Sequence, residues 1–234
     1  MTPADHPVSA AAFRLPFRDR REAGRILASH LYEYAGRAST VVAAIPRGGV
    51  VVAAEIAAEL HLPLTVFLIR KLGVPGQEEL AMGAITSGGM RLMNRRIVDE
   101  LALSESEIEA AALREARELE RRERLYTRGR GQTEFREKTV ILVDDGIATG
   151  ASIRLAMDAL RKQGASRIIL AVPVGPPESI AELRQVADEV LCLAEPSRFV
   201  SVSNWYEDFQ QVSDHEVCQL LDALYARQFS VRSA

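Results

Sequence analysis

The sequence predicts an α/β fold in which a parallel sheet is covered by helices on both faces. Three short runs, 40–45, 139–143 and 167–174, are apolar after their first residue and lack the alternating polar residues of a half-exposed strand. Continuous apolar runs of this length are typical of strands buried on both faces. Each run is followed by a segment with apolar residues at helical spacing, and this alternation of strand and helix favours parallel pairing.

The individual elements follow from periodicity and from turn residues. Strands are predicted at 40–45, 64–69, 81–86, 90–93, 139–143, 167–174 and 190–193. Helices are predicted at 17–37, 50–60, 104–126, 151–163, 180–187 and 214–227. Asp19 with Glu22, and Ser104 with Glu107, have the spacing of a capping box at a helix start. Ser87-Gly88-Gly89 lies between two predicted strands and indicates a hairpin.

Two segments depart from the simple alternation. Segment 72–80 contains Gly73, Pro75 and Gly76 and is predicted to be an irregular loop. The long charged helix interrupts the strand pattern and indicates a helical insertion at about 94–130. We expect the insertion to pack either on the core or on another subunit, as in a homodimer.

Composition and charge exclude several classes of protein. No uncharged apolar stretch of about 18 residues exists, so no membrane span is expected. The formal net charge is −3, and the basic run Arg121-Arg122-Glu123-Arg124 is interleaved with acids, so nucleic acid is not an expected partner. Cys192 and Cys218 lack metal-ligand spacing, and segment 1–16 lacks the apolar centre of a secretory signal. A reduced, cytoplasmic setting with both thiols in the core is the expectation.

Ligands of such sheets bind beyond the carboxyl ends of the strands, which directs attention to the loops there. Asp144 and Asp145 follow one buried strand, and a short loop with Thr149, Gly150 and Ser152 then opens a helix. Unpaired amides at a helix start, together with hydroxyls, form a site for a phosphate dianion. Two adjacent carboxylates need hydroxyl donors or a cation, which a phosphorylated sugar with Mg²⁺ supplies. The alternative is an ordinary helix start with two solvated acids.

The whole segment Val-Ile-Leu-Val-Asp-Asp-Gly-Ile-Ala-Thr-Gly-Ala-Ser, 140–152, resembles the motif of type I phosphoribosyltransferases that binds phosphoribosyl pyrophosphate (PRPP). The resemblance implies a Rossmann-like parallel-sheet core in which Asp144 and Asp145 bind the ribose 2′- and 3′-hydroxyls. It also implies Mg²⁺ as cofactor, held by these two acids directly or through the ribose hydroxyls and water. The residues implied to bind the 5′-phosphate are Gly146, Ile147, Ala148, Thr149, Gly150, Ala151 and Ser152.

Two further segments match that family in chain order. Pro46-Arg47-Gly48-Gly49 follows the first strand, where the family has its pyrophosphate-binding loop, although alone it is a common turn. Arg70 and Lys71 open a glycine- and proline-containing segment similar to the mobile loop of adenine and orotate phosphoribosyltransferases. They are expected to bind pyrophosphate together with Arg47, Gly48 and Gly49, and to act in catalysis with the two acids. A basic strand end on the surface is the alternative.

The resemblance leaves the acceptor open. Ala148 stands where the hypoxanthine–guanine branch has an aspartate, which argues against that branch. In this fold a variable segment above the sheet, the hood, determines which base is bound. Trp205 and Tyr206 are candidates to stack on that base. Packing of these aromatic rings against the core is the other interpretation. The layout, including the insertion, is most similar to a little-characterised bacterial group of phosphoribosyltransferases.

The domain organisation and the function follow as expectations. We expect a single domain, 1–234, with its core at about 38–94 and 136–194 and with hood candidates at 1–38 and 195–234. Three functions stay open at this point: a PRPP-dependent transferase acting on a nitrogenous base, a PRPP- or nucleotide-sensing regulator on the same fold, and a different phosphosugar-binding enzyme.

Overall fold

A computed structural model describes residues 13–87, 89–128 and 133–232 of the chain. The helices are α1 Arg20–His30, α2 Gly48–Glu59, α3 Arg95–Glu100, α4 Glu105–Thr127, α5 Ala151–Lys162, α6 Pro177–Arg184 and α7 Asp214–Arg232. The strands are β1 Thr40–Ala44, β2 Leu64–Val66, β3 Ile69–Val74, β4 Gln77–Thr86, β5 Arg91–Met93, β6 Thr139–Val143, β7 Arg167–Val174 and β8 Glu189–Ala194. Short 3-10 turns lie at Tyr32–Tyr34 and Val202–Trp205.

The main sheet has five parallel strands in the order β2-β1-β6-β7-β8. Neighbouring residues of β1 and β6 point to opposite faces, and both faces are buried. Val42 and Ile141 belong to the core on one side of the sheet, whereas Val41 and Val140 belong to the core on the other side. This two-sided burial is the reason why these strands read as continuous apolar runs, and it confirms the predicted fold class.

A second, three-stranded antiparallel sheet, β3-β4-β5, corrects the prediction of a loop at 72–80. Chain direction reverses at Pro75-Gly76, where Gly76 has a φ of +77°. Gly73 lies at a shift in register, and a side chain there would come within 2.6 Å of the Glu78 carbonyl oxygen. These residues therefore mark a bulge and a tight turn within a hairpin. The predicted hairpin is confirmed by the antiparallel pairing of β4 and β5, whereas Gly88 of its turn lies outside the described residues.

The predicted strand 64–69 was also partly wrong. β2 ends at Val66, and β3 begins at Ile69 in the other sheet. Phe67 and Leu68 are buried between them. The apolar run is continuous because the chain passes from one sheet to the other without leaving the core.

Helix caps largely follow the predictions. The Ser104 hydroxyl and the Glu107 carboxylate form the capping box that starts α4. The Asp19 carboxylate caps α1 by accepting from the Glu22 amide at 2.7 Å. Glu22 accepts from the Arg18 amide and does not complete the box with Asp19.

The long helix α4 packs on the chain's own core, against β3, β4 and α7. Cys192 and Cys218 are buried and carry free thiols, as predicted. Within the described residues, none of the helices combines the length and the apolar character needed to cross a bilayer.

Candidate active site

The acid pair lies where β6 ends. Asp144 folds back so that its Oδ1 accepts from the Asp145 amide at 2.8 Å. Burial raises the pKa of the Asp144 carboxyl well above its usual value, and the charge of Asp145 adds to this shift. An ionised Asp144 therefore needs hydroxyl donors or a cation from a ligand, as the sequence argument required.

Asp145 has a protein partner that the sequence analysis missed. Arg20, from α1, donates through Nε to Asp145 Oδ2 at 2.7 Å, with only 10% of the arginine side chain and 17% of the aspartate side chain exposed. Arg20 also donates through Nη1 to the Gln210 carbonyl at 2.9 Å. A signal existed, because Arg20 occupies the buried stripe of α1 together with Ala23, Gly24 and Leu27. A charged residue in that stripe needs a buried partner.

The predicted pyrophosphate loop, residues 46–49, lies directly against the acid pair. A methyl group built on Gly48 would come within 1.8 Å of Asp145 Oδ2, and one on Gly49 within 2.8 Å of the Val143 carbonyl oxygen. Helix α2 begins at Gly48, two residues before its predicted start, so its first amides belong to this loop. The Pro46–Arg47 peptide bond is cis.

Arg47 is half-buried beside the amino end of α7. Its Nη1 lies 4.0 Å from Asp214 Oδ1. The same oxygen accepts from the Tyr126 hydroxyl at 2.6 Å. Hydrogen bonds from Tyr126 and then from Arg121 lower the pKa of Asp214, although burial acts in the opposite direction. The predicted pyrophosphate ligand Arg47 is thus connected to α4 and α7 through one carboxylate.

The predicted phosphate loop, residues 146–152, leads into α5. Gly150 caps the helix with a φ of +72°, a conformation that favours glycine. The side chains of Ala148, Thr149 and Ser152 are exposed, so the helix amino terminus faces solvent. Ile147 is buried and anchors the loop, and its backbone amide donates to the Val174 carbonyl at 2.8 Å.

Arg70 and Lys71 lie in β3, on the hairpin rather than in a loop. They line a cleft of about 660 Å³ whose wall also includes Ser152 of the phosphate loop and Glu115 of α4. Lys71 is exposed, but Arg70 donates through Nε to Glu115 Oε2 at 2.6 Å. The hairpin cations therefore share a cleft with the phosphate loop, and one of them is held by α4.

Of the two aromatic candidates for base stacking, Tyr206 is 6% exposed. Its ring packs between Phe17 and Phe209, with centroid distances of 5.6 Å and 5.0 Å. Its hydroxyl donates to the Asp145 carbonyl at 2.6 Å, and burial raises the pKa of this hydroxyl, so it stays a donor. Tyr206 thus contacts the backbone of Asp145 with its hydroxyl while its ring is buried. Trp205 is half-buried in the preceding 3-10 turn.

The donor set fits a magnesium ion that arrives with its ligand. Among residues 13–87, 89–128 and 133–232, no group of three or more His, Cys, Asp or Glu side chains could hold a metal ion. Mg²⁺ is commonly bound by one or two carboxylates together with phosphate oxygens and water. Asp144 and Asp145, beside the predicted phosphate-binding start of α5, match that pattern.

The family is decided by comparison with known domains. The model of the phosphoribosyl transferase domain matches residues 19–209. The chain belongs to this family. The match includes the acid pair, the three loops and the Arg20 side chain, and it confirms the family expected from the motif.

Similar sequences and solved structures agree with this family assignment. A Mycobacterium tuberculosis protein, provisionally named a phosphoribosyl transferase in two strains, is 44% identical over 206 residues. The match covers 88% of this chain and 46% of that protein, so the chain spans about half the length of these curated relatives. The crystal structure of TT1426 from Thermus thermophilus is 40% identical, with a TM-score of 0.79 over 88% of this chain and 97% of that one. A Clostridioides difficile uracil phosphoribosyltransferase is 44% identical over 54 residues, 23% of this chain and 26% of its own length.

Proposed function

We propose that the protein is a PRPP-dependent phosphoribosyltransferase that transfers phosphoribose to a nitrogenous base and releases pyrophosphate. The observation that carries the proposal is the contact between the pyrophosphate loop and the acid pair, at Gly48 and Asp145. A ribose diol on the acids would place the C1 pyrophosphate at the first amides of α2. Its 5′-phosphate would face the start of α5.

In the proposed reaction, a nitrogen lone pair of the base forms a bond to ribose C1 while the C1–O bond breaks. Pyrophosphate leaves with that electron pair, and the nitrogen proton passes to solvent. Mg²⁺, bound with PRPP, would neutralise charge that develops on the leaving group. The chain's own contribution is to hold the diol at Asp144 and Asp145 and to direct amides of Gly48 and Gly49 at the leaving oxyanion.

The hairpin would complete the site. Lys71 is exposed at the cleft and is available to the pyrophosphate. Arg70 would have to break its hydrogen bond to Glu115 before it could bind the pyrophosphate. Since the hairpin and the phosphate loop line one cleft, closure over bound PRPP would keep water from the activated sugar.

One observation favours a second candidate, a PRPP- or nucleotide-sensing regulator. Arg70 is bound to Glu115 of the long helix α4, so a ligand that takes Arg70 would release a contact to that helix. A sensor would respond to bound ligand by a change in the contacts of α4 and would not catalyse the transfer of phosphoribose. The predicted cytoplasmic location and the predicted homodimer stay predictions under either function.

The test measures PRPP binding by calorimetry with Mg²⁺, and pyrophosphate release with adenine, uracil, hypoxanthine, guanine and orotate. Release with one base supports the transferase and names its acceptor. Binding without release across the panel supports the sensor. A wild-type protein that does not bind PRPP contradicts both functions.

A variant pair tests the assignment of the acids. We expect Asp144→Asn combined with Asp145→Asn to weaken PRPP binding at least tenfold, since each acid is to supply a charge-assisted hydrogen bond. Asp158→Asn, on an exposed position of α5, is the matched control and should bind like the wild type. Thermal unfolding of each variant separates lost binding from lost folding. Unchanged affinity in a folded double variant would contradict the site.

A further inference from the structure

The contact between Arg20 and Asp145 carries an inference beyond the roles of the predicted loops. We infer that Arg20 is a positioning residue that fixes the Asp145 carboxylate for the ribose diol, and that it makes both terminal segments of the described chain part of the PRPP site. The inference rests on the proposed function, because it concerns how that site is held.

The guanidinium of Arg20 joins three separate parts of the chain. Its Nε donates to Asp145 Oδ2 at 2.7 Å, and its Nη1 donates to the Gln210 carbonyl at 2.9 Å. Its planar face lies over the Phe209 ring at 3.7 Å. Only a guanidinium has two donors in a fixed fork and a flat face for stacking, so lysine would reproduce the charge alone.

The carboxylate is enclosed from the opposite side. The position of a methyl group on Gly48 is 1.8 Å from Asp145 Oδ2 and 3.0 Å from Arg20 Nε, so the ion pair fills the space that this glycine leaves. The Tyr206 hydroxyl holds the Asp145 carbonyl at 2.6 Å. The side chain of Asp145 is thus fixed by Arg20 through Oδ2, and its backbone is fixed by Tyr206.

Stability alone is a weak reason for such a pair. Arg20 and Asp145 are 10% and 17% exposed, and ion pairs withdrawn this far from water contribute little net stability compared with apolar packing. The benefit of the pair to a binding site is that it holds the carboxylate in one orientation. Such a carboxylate binds a diol without first having to be ordered. The pair lies at the predicted ligand site, which favours this positioning role.

The experiment compares PRPP affinity, by calorimetry with Mg²⁺, in Arg20→Ala, Arg20→Lys and the wild type. We expect Arg20→Ala to bind about 10- to 100-fold more weakly, the range of one lost charge-assisted hydrogen bond, and Arg20→Lys to fall between the two. Arg21→Ala is the matched control, because Arg21 is the next residue of α1 and pairs with Glu55 at 3.0 Å, away from the acids. It should bind within about twofold of the wild type.

Chemical rescue separates positioning from mere folding. Guanidinium ion at low millimolar concentration should restore part of the PRPP affinity of Arg20→Ala, whereas ammonium at equal ionic strength should not. If folded Arg20→Ala regains no affinity, the positioning role is overturned. Should Arg20→Ala fail to fold, Arg20→Lys and Tyr206→Phe decide, with weaker PRPP binding expected for both.

The two levels of proposal fail in different ways. A wild-type protein without PRPP binding overturns the proposed function and this inference with it. A wild-type protein that binds PRPP, together with folded Arg20 and Tyr206 variants of equal affinity, overturns only the inference.

Discussion

Replacement of Gly48 by alanine is the sharpest single perturbation of this site. The added methyl group would lie 1.8 Å from Asp145 Oδ2. Reaching 3.0 Å, below which real Cβ contacts essentially never fall, requires the two groups to separate by about 1.2 Å. The carboxylate has the freer end, but Arg20 holds it at 2.7 Å and the same methyl group lies 3.0 Å from Arg20 Nε. The Arg20–Asp145 geometry must therefore change.

The magnitude follows from what Asp145 is proposed to bind. Displacement by about 1 Å removes one charge-assisted hydrogen bond to the ribose diol, which is worth about 1.5–3 kcal/mol. Because 1.4 kcal/mol corresponds to a tenfold change, PRPP affinity should fall about 10- to 100-fold. Gly48 has no positive φ, so alanine causes no backbone strain that would by itself unfold the protein.

The assay is calorimetric titration of Gly48→Ala with PRPP and Mg²⁺, accompanied by thermal unfolding. Gly36→Ala is the control, since Gly36 has a φ of +65° with nothing within 4 Å of its missing side chain. That variant should lose about 1–2 kcal/mol of stability and keep its PRPP affinity. PRPP affinity of Gly48→Ala within twofold of the wild type would refute the proposed contact between loop, acid and ligand.

Two further predictions concern the helices around the site. Glu115→Gln should raise affinity for pyrophosphate up to about fivefold, because a partly exposed ion pair worth at most about 1 kcal/mol no longer competes for Arg70. Calorimetric titration with Mg²⁺-pyrophosphate measures this affinity. Asp214→Asn should lower the free energy of unfolding in urea at pH 7, and this difference from the wild type should shrink as pH falls through and below 3.8, since the folded-state pKa of Asp214 is lowered.

Each of these has its own control. Glu109→Gln changes another acid of α4, one that pairs with Arg91 and does not line the cleft, and it should leave pyrophosphate affinity unchanged. Equal gains in Glu109→Gln and Glu115→Gln would contradict the competition for Arg70. A stability difference for Asp214→Asn that is as large at pH 3 as at pH 7 would contradict an ionised native Asp214.

The parts of the fold that the sequence predicted are those with a local cause. Continuous apolar strands such as 139–143 reflect burial on both faces, and the motif that follows them marks one end of the sheet. The hairpin at β3 and β4 was missed because glycine permits a loop, a bulge and a tight turn alike. The choice among them depends on the strand opposite, as the closeness of Gly73 to Glu78 shows.

The sequence predicted loops that the structure brings together, but it did not predict the residues that support them. Arg20 and Asp145 are 125 positions apart, and no local pattern pairs them. The buried stripe of α1 indicates only that Arg20 needs a partner. Likewise, the ring of Tyr206 suggested a surface for stacking on a base. In the structure this ring packs against Phe209, and its hydroxyl donates to the Asp145 carbonyl. Such assignments depend on long-range packing.

The bridge from Arg20 to Gln210 has a consequence for how the protein comes into being. During synthesis, all five strands of the main sheet have been made once β8 is complete at Ala194. The Tyr206 hydroxyl and the Gln210 carbonyl emerge only afterwards. A chain that ends at Ala194 would contain every strand of that sheet and the Arg20–Asp145 pair, but it would lack both of these later contacts. The support of the proposed sugar site therefore includes residues that are made only after the whole sheet.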